Sequence, residues 1–199
     1  SRTVTWVVND GTVNSSAVVS TISVSDVNDA PVISGAGGTM SFTEDDAATV
    51  IDSSLDLSDV DDANIQSATI TISFGYASSE DGLAFTNTSE ITGSWDSFNG
   101  ILTLSGPATK AQFEAALESV TYQNTNNSDP NNGTRVVSWV INDGDANSSA
   151  VSSIINVSDV NEAPVVGAAG GIMTFTEGGG PNKIDQGLSV TDVDDANLA

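Results

Sequence analysis

Asp26-Val27-Asn28-Asp29-Ala30-Pro31 returns near the other end of the chain as Asp159-Val160-Asn161-Glu162-Ala163-Pro164. Each hexapeptide carries several side-chain oxygens and then stops at Pro, whose fixed φ and missing N–H end one strand pattern and stiffen the start of the next. The two stretches read as acidic joints between modules. The register between them holds elsewhere: Arg2 to Gly11 matches Arg135 to Gly144, an offset of 133 (135 − 2). Ser-Phe-Thr-Glu44 matches Thr-Phe-Thr-Glu177, and Asp59-Val-Asp-Asp-Ala-Asn64 matches Asp192-Val-Asp-Asp-Ala-Asn197, at the same offset. Such a repeat means tandem units. Residues 31–163 are expected to form one complete module, residues 1–30 the last strands of a preceding module, and residues 164–199 the first strands of a following one.

Within residues 31–163, short alternating runs rich in Val, Ile, Thr and Ser predict half-buried strands near 39–44, 49–57, 66–75, 83–87, 91–96, 100–105, 119–123, 135–142 and 149–158. The first strand is read as running from Pro31 down to Glu44, with Gly35 to Gly38 a flexible start. Asn99-Gly100 predicts a tight hairpin in which both residues tolerate positive φ. Thr109-Lys-Ala-Gln112 is a capping-box start, and Phe113, Ala116, Leu117 and Val120 follow at helical spacing, so one short helix is expected. The fold class is all-β: a tandem Greek-key β-sandwich of immunoglobulin type with one short helix in the complete module. Trp6 and Trp139 hold equivalent mid-strand places and are both expected in sandwich cores.

Composition narrows the function. Asp and Glu number 27 against 4 Lys and Arg, a net charge of −23 that repels nucleic acid and anionic membrane. With no Cys and no His, the ligands of zinc, copper and iron–sulfur sites are missing, whereas the oxygen ligands of Ca²⁺ abound. No run of about 18 apolar residues predicts a membrane span, and Ser1 opens directly onto a strand pattern without a signal peptide, as in a piece cut from a longer protein. Ca²⁺ takes roughly six to eight oxygens, more than one loop here supplies, so ligands must converge from several loops. Strand directions gather the Asp26 to Pro31 joint, the Asp59-Val-Asp61-Asp62 turn and the Asn142-Asp143-Gly144 tip at one pole. Glu44, Glu80 and Asp81 fall at the other pole with Asp159, Asn161 and Glu162.

The joints resemble the inter-repeat linkers of cadherins, and the whole repeat is similar to the bacterial cadherin-like modules of very large secreted adhesins. That resemblance implies Ca²⁺ bound at each junction by an upstream Glu, an Asp/Asn linker, a downstream Asp-x-Asp turn and an Asp near the downstream hairpin tip. Carried over, the second joint would use Glu44, Asp159, Asn161, Glu162, Asp192 and Asp194. The first would use Asp26, Asn28, Asp29, Asp59, Asp61 and Asp143. Asp81, with Glu80, stands as a positional substitute for the Asp-Arg-Glu element of animal cadherins, which the chain lacks. The second linker has Glu162 where the pattern has Asp.

The expected role is a calcium-rigidified spacer of an extracellular adhesin or bacterial surface stalk, with neighbouring repeats of the same polypeptide as its partners. Two rivals are a polysaccharide-binding module using Trp95, Phe98 and Tyr76, and a fibre subunit completed by strand exchange between copies. Asp61 and Asp62 sit in a turn with no His, Cys or evident nucleophile nearby, so the chain is not expected to be an enzyme. Lys110 and Lys183 occupy unmatched repeat positions, which argues against a Lys–Asn isopeptide shared by every module.

Overall fold

A computed structural model describes residues 1–167, 170, 172–185, 187–195 and 197. Ala196, within the second copy of the Asp-x-Asp turn, lies outside them. The strands are β1 (Arg2–Trp6), β2 (Val18–Ile22), β3 (Val32–Ser34), β4 (Thr39–Thr43), β5 (Thr49–Val50), β6 (Asp56–Ser58), β7 (Asn64–Phe74), β8 (Asp81–Ala84), β9 (Thr92–Asp96) and β10 (Ile101–Thr109). Helix α1 (Lys110–Glu118) follows, then β11 (Thr121–Asn124), β12 (Gly133–Asn142), β13 (Val151–Ser158), β14 (Val165–Gly167) and β15 (Ser189–Thr191). The chain is therefore all-β with one short helix among the described residues.

Six strands form one sheet in the order β4-β13-β12-β7-β10-β9, and β5-β11-β8 with the β3-β6 pair lie in the smaller sheets. Alternation along β12 buries Arg135, Val137, Trp139 and Ile141 on one face, where they meet Phe42, Tyr122 and the helix residues Phe113, Ala116 and Leu117. Every buried hydrophobic side chain described falls between Ile33 and Val157. Thr109 caps α1 as its sequence predicts, accepting from the Gln112 amide while Gln112 Oε1 accepts from the Thr109 amide.

Two polar clusters cross the core. Trp139 donates to Ser153 Oγ (3.0 Å), and Ser153 donates to Asp52 Oδ2 (2.7 Å), which also accepts from the Gly38 amide (3.1 Å). Arg135 Nε pairs with Asp81 Oδ2 at 2.8 Å, and Asp81 also accepts from Tyr122, Asn124 and the Ala77 amide. This overturns the placing of Asp81 at a metal joint: it is 5% exposed and its oxygens are taken up by protein donors. Burial, together with the Asp81 carboxylate, pushes the Tyr122 hydroxyl far above its ordinary pKa.

Four other expectations change. The strand read from Pro31 to Glu44 breaks in two, because the chain crosses from β3, paired with β6, to β4, paired in parallel with β13. The crossing runs through Gly35 and Gly37 at φ 78° and 130°, and a Cβ on Gly35 would collide with the Ser54 carbonyl. The run 49–57 likewise splits into β5 and β6 around Asp52, which turns inward to Ser153. The Asn99-Gly100 hairpin is a four-residue loop, 97–100, in which Gly100 alone has positive φ and Asp96 accepts from the Phe98 and Asn99 amides. Trp6 is 60% exposed on the two-stranded β1-β2 ribbon, although it donates to Ser20 as Trp139 does to Ser153.

The repeat is visible in three dimensions. Val165↔Thr191 and Gly167↔Ser189 in the β14-β15 pair reproduce, at the same offset, Val32↔Ser58 and Ser34↔Asp56 in β3-β6. The Asn9 to Asn14 side-chain bridge likewise reproduces that of Asn142 to Asn147.

Candidate metal centres at the two joints

The Asp-x-Asp turn after β6 is built by its own first residue. Asp59 Oδ1 accepts from the Asp61 and Asp62 amides at 3.1 and 2.8 Å, which folds the loop and turns Oδ2 inward, where it is buried without a partner. The linker docks onto this turn through the Asp29 amide, which donates to Asp61 Oδ2 at 3.0 Å. Asn28 Nδ2 donates to Asp143 Oδ2 at 3.1 Å, so the β12–β13 hairpin tip joins the same cluster. Asp143 Oδ1 accepts from the Asp145 and Ala146 amides, both at 2.7 Å.

Carboxylate oxygens of Asp59, Asp62 and Asp143 all lie within 4.8 Å of one another, a group able to hold a metal ion. Asp62 is the member that the residue-by-residue carry-over left out. The Asp-Asp doublet after Asp59 was the available signal, but resemblance pointed to its first residue. Asp26 remains exposed at the head of the linker. Burial, then the charges of Asp59, Asp61, Asp143 and Asp145, push the Asp62 carboxyl above its usual range. Asp59 is held below that range because the Asp62 and Asp61 amide donors outweigh its burial. The donated amide of Ala146, then the Asn28 side chain and the Asp145 amide, hold Asp143 low against its own burial.

The second joint repeats the turn. Asp192 Oδ1 accepts from the Asp194 and Asp195 amides at 3.1 and 3.0 Å, and Asp194 Oδ2 accepts from the Glu162 amide, as Asp61 does from Asp29. Asn161 Nδ2 donates to the Glu162 carbonyl, as Asn28 Nδ2 does to that of Asp29. Here Glu44 enters from the end of β4. Its side chain is buried, 5% of the residue being exposed, and its Oε2 accepts from the Val160 amide at 3.1 Å.

Four oxygens at this joint are buried with no hydrogen-bond partner: Glu44 Oε1, Asp159 Oδ1, Glu162 Oε2 and Asp194 Oδ1. They come from the strand end, the linker and the downstream turn. Burial, the hydrogen-bonded Asp194, and the charges of Asp194, Glu44 and Asp159 push the Glu162 carboxyl up to about 7. Both ion pairs among the described residues belong to Arg135, and Lys110, whose charge helps to lower the Asp59 carboxyl, meets the first joint's turn through main-chain carbonyls and not through a carboxylate. Buried carboxylate oxygens are ordinarily satisfied. An all-oxygen donor set of this charge fits a hard cation.

Of the aromatics considered for glycan contact, Trp95 and Tyr76 pack edge to face against the core rim, with ring centroids 6.2 Å apart, while Phe98 is 87% exposed on its loop. No helix of the described chain is long and apolar enough to cross a membrane. No protein-family model matches the sequence. The chain is similar to Halomucin of Haloquadratum walsbyi (strain DSM 16790 / HBSQ001), 37% identical over 86 residues, a match that covers 41% of this chain and 1% of that protein.

Proposed function

We propose that this chain is a spacer segment of an extracellular surface protein, stiffened where Ca²⁺ bridges successive β-sandwich modules. The observation that carries the reading is the set of four unpartnered, buried carboxylate oxygens at the second joint. Left alone, like charges held this close repel one another and force the linker away from the turn. Divalent cations drawn into the joint would supply the partners these oxygens lack. Because Glu44 precedes the linker and Asp194 follows it, an ion held by both fixes the two sides relative to each other.

Calcium suits this donor set better than magnesium. It accepts many oxygens in irregular geometry, whereas Mg²⁺ demands a near-ideal octahedron and keeps its waters. Extracellular calcium modules bind with dissociation constants of about 10⁻⁴–10⁻³ M, suited to the outside of a cell. Similarity to part of Halomucin, together with a charge of −23 suited to cation-rich surroundings, supports placement at a cell surface.

The partners under this reading are further modules of the same kind. Trp6, Phe175 and Met173 are 60%, 58% and 41% exposed, while their repeat equivalents Trp139, Phe42 and Met40 are core residues. These faces match the strands of a neighbouring repeat, or those of a second copy by strand exchange. Sedimentation of the protein with and without chelator distinguishes the two.

Thermal melting with divalent cations added one at a time tests the calcium reading. A stabilisation by Ca²⁺ well above that by Mg²⁺ is expected, with calorimetric Ca²⁺ uptake reduced in Glu44→Ala and Asp192→Ala. Equal shifts for both cations would reduce the effect to charge screening and sink the proposal.

A further inference from the structure

Lys110, the first residue of α1, uses its ammonium in an uncommon way. Its Nζ donates to the main-chain carbonyls of both Asp59 (2.9 Å) and Asp62, the two ends of the cation turn, and pairs with no carboxylate. One helical turn on, Glu114 Oε2 accepts from the Leu57 amide at 3.2 Å, in the strand leading into that turn. Residues four apart share a helix face, so α1 grips the turn and its incoming strand from one side. The chain leaving the turn is held as well, since Asn64 pairs with Thr109, the N-cap of α1. The helix is itself immobilised by buried Phe113, Ala116 and Leu117.

We propose that α1 is the strut that fixes the cation turn of the first joint, with Lys110 as its positioning residue, a role that rests on the calcium reading above. Two effects of the ammonium oppose each other. Its charge lies near the carboxylates and repels a bound cation, which lowers affinity. Its hydrogen bonds to the back of the turn hold Asp59 and Asp62 together against their mutual repulsion, which raises affinity. The geometry favours the second effect, because both bonds go to carbonyls on a short turn and leave the carboxylate oxygens open.

The test is calcium titration in a Glu44→Gln background, which silences the second joint and leaves uptake at the first. Lys110→Met is expected to weaken that uptake roughly 10- to 100-fold, the usual cost of losing an outer-shell partner of a metal ligand. Lys110→Arg, which keeps a long donor, should recover most of it. Amide exchange at Asp61 and Asp62 in the metal-free Lys110→Met protein should accelerate while the β12 amides stay protected, a check that the variant is folded. Uptake unchanged or tightened in Lys110→Met overturns the strut. Asp59→Asn in the same background probes the underlying reading. If Asp59→Asn abolishes uptake and Lys110→Met does not, only the strut falls, whereas uptake insensitive to Asp59→Asn removes the first site and the strut with it.

Discussion

Under the calcium reading proposed above, replacing Glu44 by Gln separates the metal-free protein from the calcium-bound one, because the two states place opposite demands on that side chain. Glu44 is 5% exposed, with Oε2 bonded to the Val160 amide and Oε1 unpartnered. A glutamine keeps an acceptor for Val160, carries no charge and offers an amide donor to the neighbouring carboxylates. An unpartnered buried polar group costs about 1–3 kcal/mol. Without metal, Glu44→Gln is therefore expected to stabilise the protein by an amount of that order, with Tm rising about 2–4 °C for each kcal/mol. Calcium reverses the comparison. At about 10 mM Ca²⁺ and a dissociation constant of about 10⁻⁴–10⁻³ M, the parent gains roughly 1.4–2.7 kcal/mol by mass action. The variant, deprived of an anionic ligand, gains little of this at the second joint. Calorimetric melts of both proteins in chelator and in calcium measure the four Tm values. A variant that melts below the parent in chelator, yet keeps the full calcium shift, would show that Glu44 acts only as a structural acceptor for Val160.

Three further outcomes are expected. Arg135→Met leaves Asp81 buried without its counter-charge and should cost about 3–5 kcal/mol in urea unfolding while leaving calcium stoichiometry unchanged; reduced stoichiometry would return Asp81 to the metal site. Asp45 sits at φ 65° where its repeat equivalent Gly178 has φ 82°, so Asp45→Gly should raise metal-free stability by about 0.5 kcal/mol, and a lowered Tm would contradict the strain. Glu162, pushed from its ordinary 4.5 up to about 7, stays protonated in the folded protein after its unfolded counterpart has ionised. Its contribution favours the fold at low pH and is lost as pH rises from about 4.5 through about 7, so the metal-free protein should melt higher at pH 5 than at pH 8, with calcium flattening the difference. A pH series of melts that is already flat without metal removes that electrostatic account.

The sequence made the helix and the acidic joints legible for different reasons. Thr109 and Gln112 cap α1 through contacts three residues apart, and local chemistry of that kind is written in local sequence. The turns at Asp59 and Asp192 are equally local, and their duplication tied each to a linker about 30 residues away. Asp81 was misread because a carboxylate in a turn looks the same whether it faces solvent, a cation or Arg135, and the deciding partner lies 54 positions away. The break between β3 and β4 depends on Ser54 approaching Gly35, a tertiary contact to which strand periodicity is blind. Trp6 and Trp139 share their local sequence and even have equivalent serine partners, Ser20 and Ser153; burial separates them, and burial depends on what else packs there. Asp62 could have been found by asking which carboxylates of the doublet face Asp143, a question only the hairpin's position answers.

The parallel pairing of β4 with β13 bears on how the chain carries tension. Force applied along a string of modules would enter residues 31–163 through β3 and the crossing at 35–38, reach β4 and leave by β13, pulling β4 and β13 in opposite directions along their common axis. Their registered pairs, from Ile154↔Thr39 to Ser158↔Thr43, would then be sheared together instead of being unzipped one after another from an end. The β4–β13 pairing ends one residue before Glu44, so the hydrogen bonds that would share such a load and the carboxylate proposed as a cation ligand belong to one continuous stretch of backbone.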